Sequence, residues 1–160
     1  MVSRRGVTAT CVDSSALLRW CLGEGDVTSV AAALAGAIVT SVLTTVEAPC
    51  AIHARFHRGL LSAEVRDRLL VVVRQALHPM TTIGLTAEVR REAIAIGERF
   101  LIRSLDAIHL ASAVVVARQQ RRRGNVVRFC TADLRQAEVA AALLSAGRVD
   151  VVPPLPQHAP

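Results

Sequence analysis

Short apolar segments alternate with amphipathic helical segments along almost all of this 160-residue chain. Five of the segments have the length and apolar character of buried strands. They are residues 9–12, 37–40, 81–83, 126–131 and 149–152. Strands that alternate with helices form a mainly parallel sheet with helices on both faces. The sequence therefore predicts an α/β fold with a central mainly parallel sheet of about five strands.

Residues that favour helix starts predict where the helices begin. The predicted caps are Asp13, Ser41, Ser62, Thr86, Ser104 and Asp133. We also expect an Ala-rich helix over residues 27–36, after a turn that ends at Asp26. No interdomain linker interrupts the pattern, so residues 1–160 are expected to form a single domain with a core over about 8–152. Residues 153–160 are expected to form a flexible tail.

The composition excludes several kinds of site. All 19 basic residues are Arg, so the chain offers no Lys for a phosphate-binding Walker loop or for Schiff-base chemistry. The four Cys residues form no C-x-x-C pair, which argues against zinc. The net charge of +6 suits a polyanionic or acidic partner. No apolar run approaches the roughly 18 residues of a membrane helix, and the N-terminal residues do not resemble a signal peptide. We therefore expect no membrane partner and a cytoplasmic location.

Four acidic residues lie where a parallel sheet would place a site. Asp13 follows the first predicted strand and Asp133 follows the fourth, while Glu47 and Asp106 lie on apolar helical segments between them. Function in open sheets gathers at the carboxyl ends of the strands. Carboxylates in apolar surroundings are usually paired or bound to a metal. Mg²⁺ and Mn²⁺ prefer such oxygens and assist phosphodiester hydrolysis.

Each acid also has an ordinary structural explanation. Asp13 and Asp133 could only cap helices, and Asp106 could only stabilise a helix dipole. Glu47 could lie on a solvated helix face. His109, one helical turn after Asp106, could reach the site, although packing or support of a ligand explains it as well. Only the joint pattern of the four acids points to a site.

The joint pattern resembles the PIN-domain family and, within it, the VapC-type toxins of bacterial toxin–antitoxin pairs. The resemblance extends from about Thr8 to Val152 and is carried by four motifs. These are residues 11–17 (CVDSSAL), Glu47 in the helix that Ser41 is expected to cap, residues 105–113 (LDAIHLASA) and residues 129–134 (FCTADL). It implies a PIN-like three-layer α/β/α sandwich and an endoribonuclease that depends on Mg²⁺ or Mn²⁺.

The resemblance also implies roles for individual residues and partners. Asp13 and Asp106 would be the chief metal ligands, and Glu47 and Asp133 would complete the acidic catalytic cluster. The hydroxyl groups of Ser14 and Thr131 would orient a carboxylate or a water molecule, as supporting residues. The implied partners are an RNA substrate, a VapB-like antitoxin and a second copy of the chain in a homodimer. The basic run Arg121, Arg122 and Arg123 could contact RNA phosphates, although a solvated helix end explains it equally well.

Three alternatives stay open on the sequence. The domain could be a catalytically inactive PIN-like module that binds RNA or a partner. A phosphotransfer or phosphatase domain with Asp13 as nucleophile is less compatible, because such domains normally require a Lys that this chain lacks. A metal nuclease that cuts DNA on the same scaffold is not excluded by any residue.

Overall fold

The computed structural model describes residues 8–23, 28, 31–32, 34, 36–145 and 148–151. The predicted tail at 153–160 lies outside the described residues, as do half of the predicted helix at 27–36 and residues 24–26 of the turn before it. Strands and helices alternate through the described ranges, as the hydrophobic pattern predicts. The strands are β1 (Thr8–Val12), β2 (Ala37–Ser41), β3 (Thr81–Ile83), β4 (Val126–Thr131) and β5 (Val149–Val151).

Six long helices connect or follow these strands within the described residues. They are α1 (Ser14–Leu22), α2 (Thr44–His57), α3 (Ala63–Leu77), α4 (Ala87–Arg99), α5 (Ser104–Arg121) and α6 (Leu134–Leu144). Among the described residues no single helix is long and apolar enough to cross a membrane. The pair α4 and α5 reaches the required length and apolar character only when both helices are counted together, and the chain bends by 120° between them.

The five strands form one sheet in the order β3-β2-β1-β4-β5, and every neighbouring pair is parallel. The predicted α/β fold with a five-stranded parallel sheet is therefore confirmed. β1 lies at the centre, where Val12 pairs with Thr40 on one side and with Cys130 on the other. This register brings the carboxyl ends of β1 and β4 side by side.

Neighbouring residues of the central strands bury their side chains on opposite faces of the sheet, as strand geometry requires. Cys11 and Phe129 belong to a core formed mainly with α4, α5 and α6. Val12 and Cys130 belong to a second core formed mainly with α1, α2 and α3. The two cores account for the three layers, because each face of the sheet is covered by its own helices.

Four of the six predicted helix caps are confirmed. The side chains of Asp13, Ser62, Thr86 and Asp133 each accept a hydrogen bond from a backbone N–H in the first turn of the helix that follows. These bonds satisfy N–H groups that have no partner inside the helix.

The other two predicted caps are wrong. Ser41 is the last residue of β2, held extended by its pairing with Ile83, and α2 begins three residues later at Thr44. Ser104 is the first residue of α5, because the carbonyl of Arg103 already accepts the bond from Ala107 N at 2.9 Å. Arg103 makes no side-chain cap, and the carboxylate of Asp106 in the first turn favours the helix start through the dipole.

Phe129 provides a test of the core. Its side chain is 1% exposed in the middle of β4, so Phe129→Ala should lower the free energy of unfolding by about 3–5 kcal/mol. The measurement is urea unfolding followed by circular dichroism. Leu60→Ala is the control, because Leu60 is 68% exposed and surface changes usually stay within about 0.5 kcal/mol. Equal losses for the two variants would contradict this description of the core.

Candidate active site at the carboxyl edge of the sheet

Asp13 directly follows β1 and Asp133 lies two residues after the end of β4, and each is the residue before a helix. The Asp13 carboxylate accepts from Ala16 N at 2.9 Å, and the Asp133 carboxylate accepts from Gln136 N at 2.9 Å. Both acids therefore do cap helices, the ordinary role considered for them. A carboxylate has about four acceptor positions, so a single capping bond leaves the others available for further contacts.

The Asp13 carboxylate is held by two hydroxyl groups in addition to its cap. Ser15 Oγ donates to it at 2.8–2.9 Å, and Thr131 Oγ1 donates to Oδ2 at 2.9 Å. Asp13 is only 3% exposed. Burial raises the pKa of Asp13, while the Ala16 N–H, the charge of His109 and the two hydroxyl groups lower it. The result is a buried carboxylate whose charged form is compensated by three nearby donors and by the charge of His109.

Gln136 completes the network behind Asp13. Thr131 is fully buried, and its Oγ1 lies 2.8 Å from Gln136 Oε1 and accepts from Asp133 N at 3.0 Å. A hydroxyl group has one proton, and an ionised carboxylate can only accept. Thr131 therefore donates to Asp13 when Asp13 is charged, and Gln136 then satisfies Thr131 by turning its amide group to donate. Gln136 thus fixes the direction of the Thr131 hydroxyl.

Glu47 lies against α1 and α5 rather than in solvent. Its Oε2 accepts from Ser14 Oγ at 2.7 Å and lies 2.6 Å from His109 Nε2. The hydrogen bond with His109 lowers the pKa of Glu47 most, Ser14 and the charge of Arg103 lower it further, and burial opposes them. His109 is 4% exposed. Its contact agrees with the supporting role considered above, and Ser14 contacts Glu47 rather than Asp13.

Arg103 connects the remaining acids. Its Nε donates to Asp106 Oδ2 at 2.9 Å, and its terminal nitrogen lies 3.6 Å from Asp133 Oδ2. These carboxylates, together with Glu47, hold the pKa of Arg103 above its usual range. The Arg103 side chain is 79% exposed, so its guanidinium group covers the acids from the solvent side.

Two open clefts meet at Arg103. One has a volume of about 440 Å³ and is lined by Glu47, Arg103, Ser104, Leu105 and Asp106. The other has a volume of about 370 Å³ and is lined by Leu101, Ile102, Arg103, Asp106, Asp133 and Arg135. Arg103 and Asp106 line both clefts, which together we call the groove. We call Asp13, Glu47, Asp106 and Asp133 the acidic edge; the last three of these acids line the groove, and Asp13 does not.

The donor chemistry of this edge fits a hard divalent cation, because its charged ligands are carboxylate oxygens supported by hydroxyl groups. Within the described ranges, no three acidic, His or Cys side chains converge closely enough to hold one metal ion. A cationic group, the Arg103 guanidinium, bridges Asp106 and Asp133 instead. Binding of a metal ion would therefore require the carboxylates to come closer together as well as Arg103 to leave them.

Three residues of the edge were not found by sequence reasoning. Ser15 and Gln136 lie two and three residues after Asp13 and Asp133, and the Asp-x-x-Gln spacing is close to a capping box, which is a usable signal. Arg103 lies three residues before Asp106, a spacing common to many surface ion pairs, so nothing in the sequence distinguishes it.

The predicted RNA-contacting residues lie elsewhere. Arg121, Arg122 and Arg123 are exposed at the C-terminal end of α5. Asp106 is at the other end of this helix, 15 positions before Arg121, which corresponds to about 22 Å at a rise of 1.5 Å per residue. The basic run is therefore not part of the acidic edge.

Fold and edge together define an α/β domain with a carboxylate site after its two central strands. The family model of the PIN domain matches residues 10–142. The chain belongs to the PIN-domain family, as the motifs predicted. PIN domains are generally nucleases and typically use divalent metals.

Solved structures share the fold at low sequence identity. PAE2754 from Pyrobaculum aerophilum is 19% identical, with a TM-score of 0.56 over 93% of this chain and 88% of that one. VapBC-5 from Mycobacterium tuberculosis, a member of the VapBC family of toxin–antitoxin systems, is 17% identical, with a TM-score of 0.58 over 91% and 98%. A toxin–antitoxin complex from Klebsiella pneumoniae is 18% identical, with a TM-score of 0.53 over 79% and 88%. No curated protein matches the sequence.

The burial of Asp13 predicts a gain in stability when its charge is removed. Asp13→Asn keeps a good helix cap and should raise the urea midpoint at neutral pH in EDTA. The pKa of Asp13 is raised in the fold above its ordinary 3.8, so the parent loses stability as the pH rises above that value. The advantage of the variant should therefore shrink as the pH is lowered toward 3.8. A variant less stable than the parent at pH 7 would show that Asp13 is fully compensated by its donors.

Proposed function

We propose that this protein is a Mg²⁺- or Mn²⁺-dependent endoribonuclease and the toxin component of a toxin–antitoxin pair. One observation carries the proposal: the carboxylates of Asp106 and Asp133 share the Arg103 cation at the edge where Asp13 and Glu47 are held by their own donors. Such a concentration of negative charge is costly unless a cation compensates it. Membership of the PIN-domain family supports nuclease chemistry.

In this proposal Asp13 and Asp106 hold the metal, and Glu47 and Asp133 complete the acidic cluster. The metal would supply positive charge that stabilises the phosphoryl group during hydrolysis. Ser15 and Thr131 keep the Asp13 carboxylate in one orientation. His109 and Ser14 do the same for Glu47. Ligands whose partners fix their direction lose less entropy when a cation binds.

Arg103 would take a second role once it leaves Asp106. Its guanidinium group is anchored at the first turn of α5 and lines both clefts of the groove. From that position it can donate two parallel hydrogen bonds to a phosphate. The same residue would then compensate the acids without substrate and hold the RNA backbone when substrate is present.

A protein partner fits the apolar surface next to this groove. A cleft of about 490 Å³ between α4 and α5 is lined mainly by apolar side chains, including Leu85, Ile94, Ile102 and Ile108. Leu101, just outside it, is 90% exposed. Apolar surface of this kind usually marks an interface. It supports the proposed antitoxin and homodimer, and two of the structural neighbours come from toxin–antitoxin systems.

Cleavage of total cellular RNA tests the proposed activity. The purified protein is incubated with Mg²⁺, Mn²⁺ or EDTA, beside Asp106→Asn and the matched control Asp67→Asn. We expect discrete fragments that require metal. Asp106→Asn should lose more than the 10–100-fold that loss of an outer support costs. Asp67→Asn should cleave normally, because Asp67 lies on the surface of α3 and pairs with Arg66.

Each contrary result of this experiment has a clear meaning. Full cleavage by Asp106→Asn would refute the assignment of the site. Equal cleavage of single-stranded DNA would move the proposal to a general metal nuclease. No cleavage by folded, antitoxin-free protein with any metal would favour the RNA- or partner-binding module considered above.

Arg103 gives a prediction about metal affinity. Since its guanidinium group lies between Asp106 and Asp133, Arg103→Gln should bind Mn²⁺ about fivefold more tightly in calorimetry, as expected for losing an exposed ion pair worth up to about 1 kcal/mol. Arg135→Gln is the control, because Arg135 lines the same groove but bonds to Leu101 O and Glu138. Weaker Mn²⁺ binding by Arg103→Gln would show instead that Arg103 supports the metal site.

A further inference from the structure

A second charged cleft lies on the helical layer formed by α4, α5 and α6. Its volume is about 300 Å³, and its charged lining consists of Arg99, Arg118, Arg121, Arg148 and Glu92. Between these groups the cleft is lined by small and apolar side chains of α5 and α6. Four guanidinium groups and one carboxylate give this small region a formal charge of +3. We call it the arginine cleft.

The single acid neutralises only one of the four arginines. Glu92 pairs with Arg118 at 2.5 Å and is itself only 15% exposed, while the Arg118 side chain is still 55% exposed. Arg99 lies over the ring of Phe100, with its guanidinium carbon 5.2 Å from the ring centre. Among the described residues no carboxylate forms an ion pair with Arg99, Arg121 or Arg148. The guanidinium groups of these three arginines therefore line the cleft without a carboxylate from the described ranges that pairs with them.

The arginine cleft and the acidic edge lie at opposite ends of α5. Asp106 is in the first turn of α5, and Arg118 and Arg121 are in its last turn. Twelve and fifteen residues of helix separate them from Asp106, or about 18–22 Å. A nucleic-acid strand carries one phosphate per about 3.4 Å in a helical conformation. A strand cut at the acidic edge would therefore reach the arginine cleft within about five to seven nucleotides.

Binding of RNA at the acidic edge requires a basic surface elsewhere on the protein. Its four carboxylates repel a polyanion, and in the described part of the chain only Arg103 bridges two of them. The attraction that brings RNA to the protein must then come from basic groups outside the edge. The chain has three Phe, one Trp and no Tyr, so stacking on bases offers little affinity. Contacts to phosphates are what this composition favours.

We propose that the arginine cleft binds the phosphate backbone of the RNA substrate, several nucleotides away from the bond that is cut. This rests on the proposed ribonuclease function and locates the extended part of its substrate site. Guanidinium forks match phosphate oxygens in pairs, which suits a chain whose basic residues are all Arg. Phosphate contacts of this kind position the strand and carry no sequence information.

Binding of RNA in EDTA tests the proposal without cleavage. The probe is a fluorescently labelled uridine homopolymer, and its anisotropy is measured at several salt concentrations. The test variant is the double change Arg99→Gln and Arg121→Gln, which leaves the Arg118–Glu92 pair intact. The control is Arg58→Gln with Arg68→Gln, two exposed residues after α2 and on α3, in the helical layer on the other face of the sheet. Both doubles change the net charge equally.

The test variant should bind RNA about tenfold more weakly than the parent at low salt. Its slope of log affinity against log salt should be less steep by about 1.4, because each phosphate contact contributes about 0.7 on a single strand. The control should keep the affinity and slope of the parent. Equal losses in both doubles would show a general effect of net charge and overturn the proposal, as would normal binding by the test variant.

Two further measurements separate the remaining explanations. If polyglutamate displaces RNA from the parent as efficiently as unlabelled RNA does, the arginine cleft is a site for an acidic protein segment, and the proposal is wrong. The parent is also assayed for metal-dependent cleavage. Cleavage by the parent together with normal binding by the test variant would refute only the cleft. Weakened, less salt-dependent binding without cleavage by any protein would refute only the nuclease.

Discussion

The parallel pairing of β1 with β4 is the constraint on which the acidic edge depends. The ladder ends with Val12 opposite Cys130, and the backbone N–H of Asp13 then continues it by donating to Cys130 O at 3.1 Å. This bond sets the direction of the chain as it leaves the strand. The next residue of β4 is Thr131, whose hydroxyl group therefore meets the Asp13 carboxylate. A shift of one residue in this register would turn Asp13 toward the other face of the sheet.

The long helix α5 both packs in the core and positions residues of the acidic edge. Its central residues, Leu110, Ala111 and Ala113, are almost fully buried against the sheet. Its first turn carries Asp106 to the edge, and one turn later His109 reaches Glu47. Because the helix is fixed along its length by packing, neither side chain can drift independently. The repulsion between neighbouring acids raises the free energy of the folded state. Burial of the apolar side chains of α5 offsets this repulsion, because it contributes more free energy than a single contact between charges.

The sequence predicted the elements better than the contacts between them. All five strands were predicted within one residue in the described ranges, since apolar runs and turns are local signals. Ser41 was wrong as a cap because its pairing with Ile83, 42 positions later, overrides a local preference. The contact of His109 with Glu47 spans 62 positions and that of Thr131 with Asp13 spans 118, so no local pattern reveals them. Asp13 and Asp133 were found by their place after strands, and Glu47 and Asp106 by their place on apolar helical segments. Ser14, Thr131 and His109 were expected near the site, but the particular carboxylate that each contacts was not predicted.

Helix capping explains the positions of Asp13 and Asp133 taken singly, but it does not explain why these residues are charged. Asp13 and Asp133 cap helices, and a cap needs only one acceptor. Asn or Ser would serve as well at both positions without the burial cost that raises the pKa of Asp13. The burial of Asp13 at 3% exposure and the Arg103 guanidinium over the neighbouring acids both support the cation site proposed above. Structural capping explains one hydrogen bond of Asp13 and one of Asp133, while the proposed cation site would explain why these acceptors are charged.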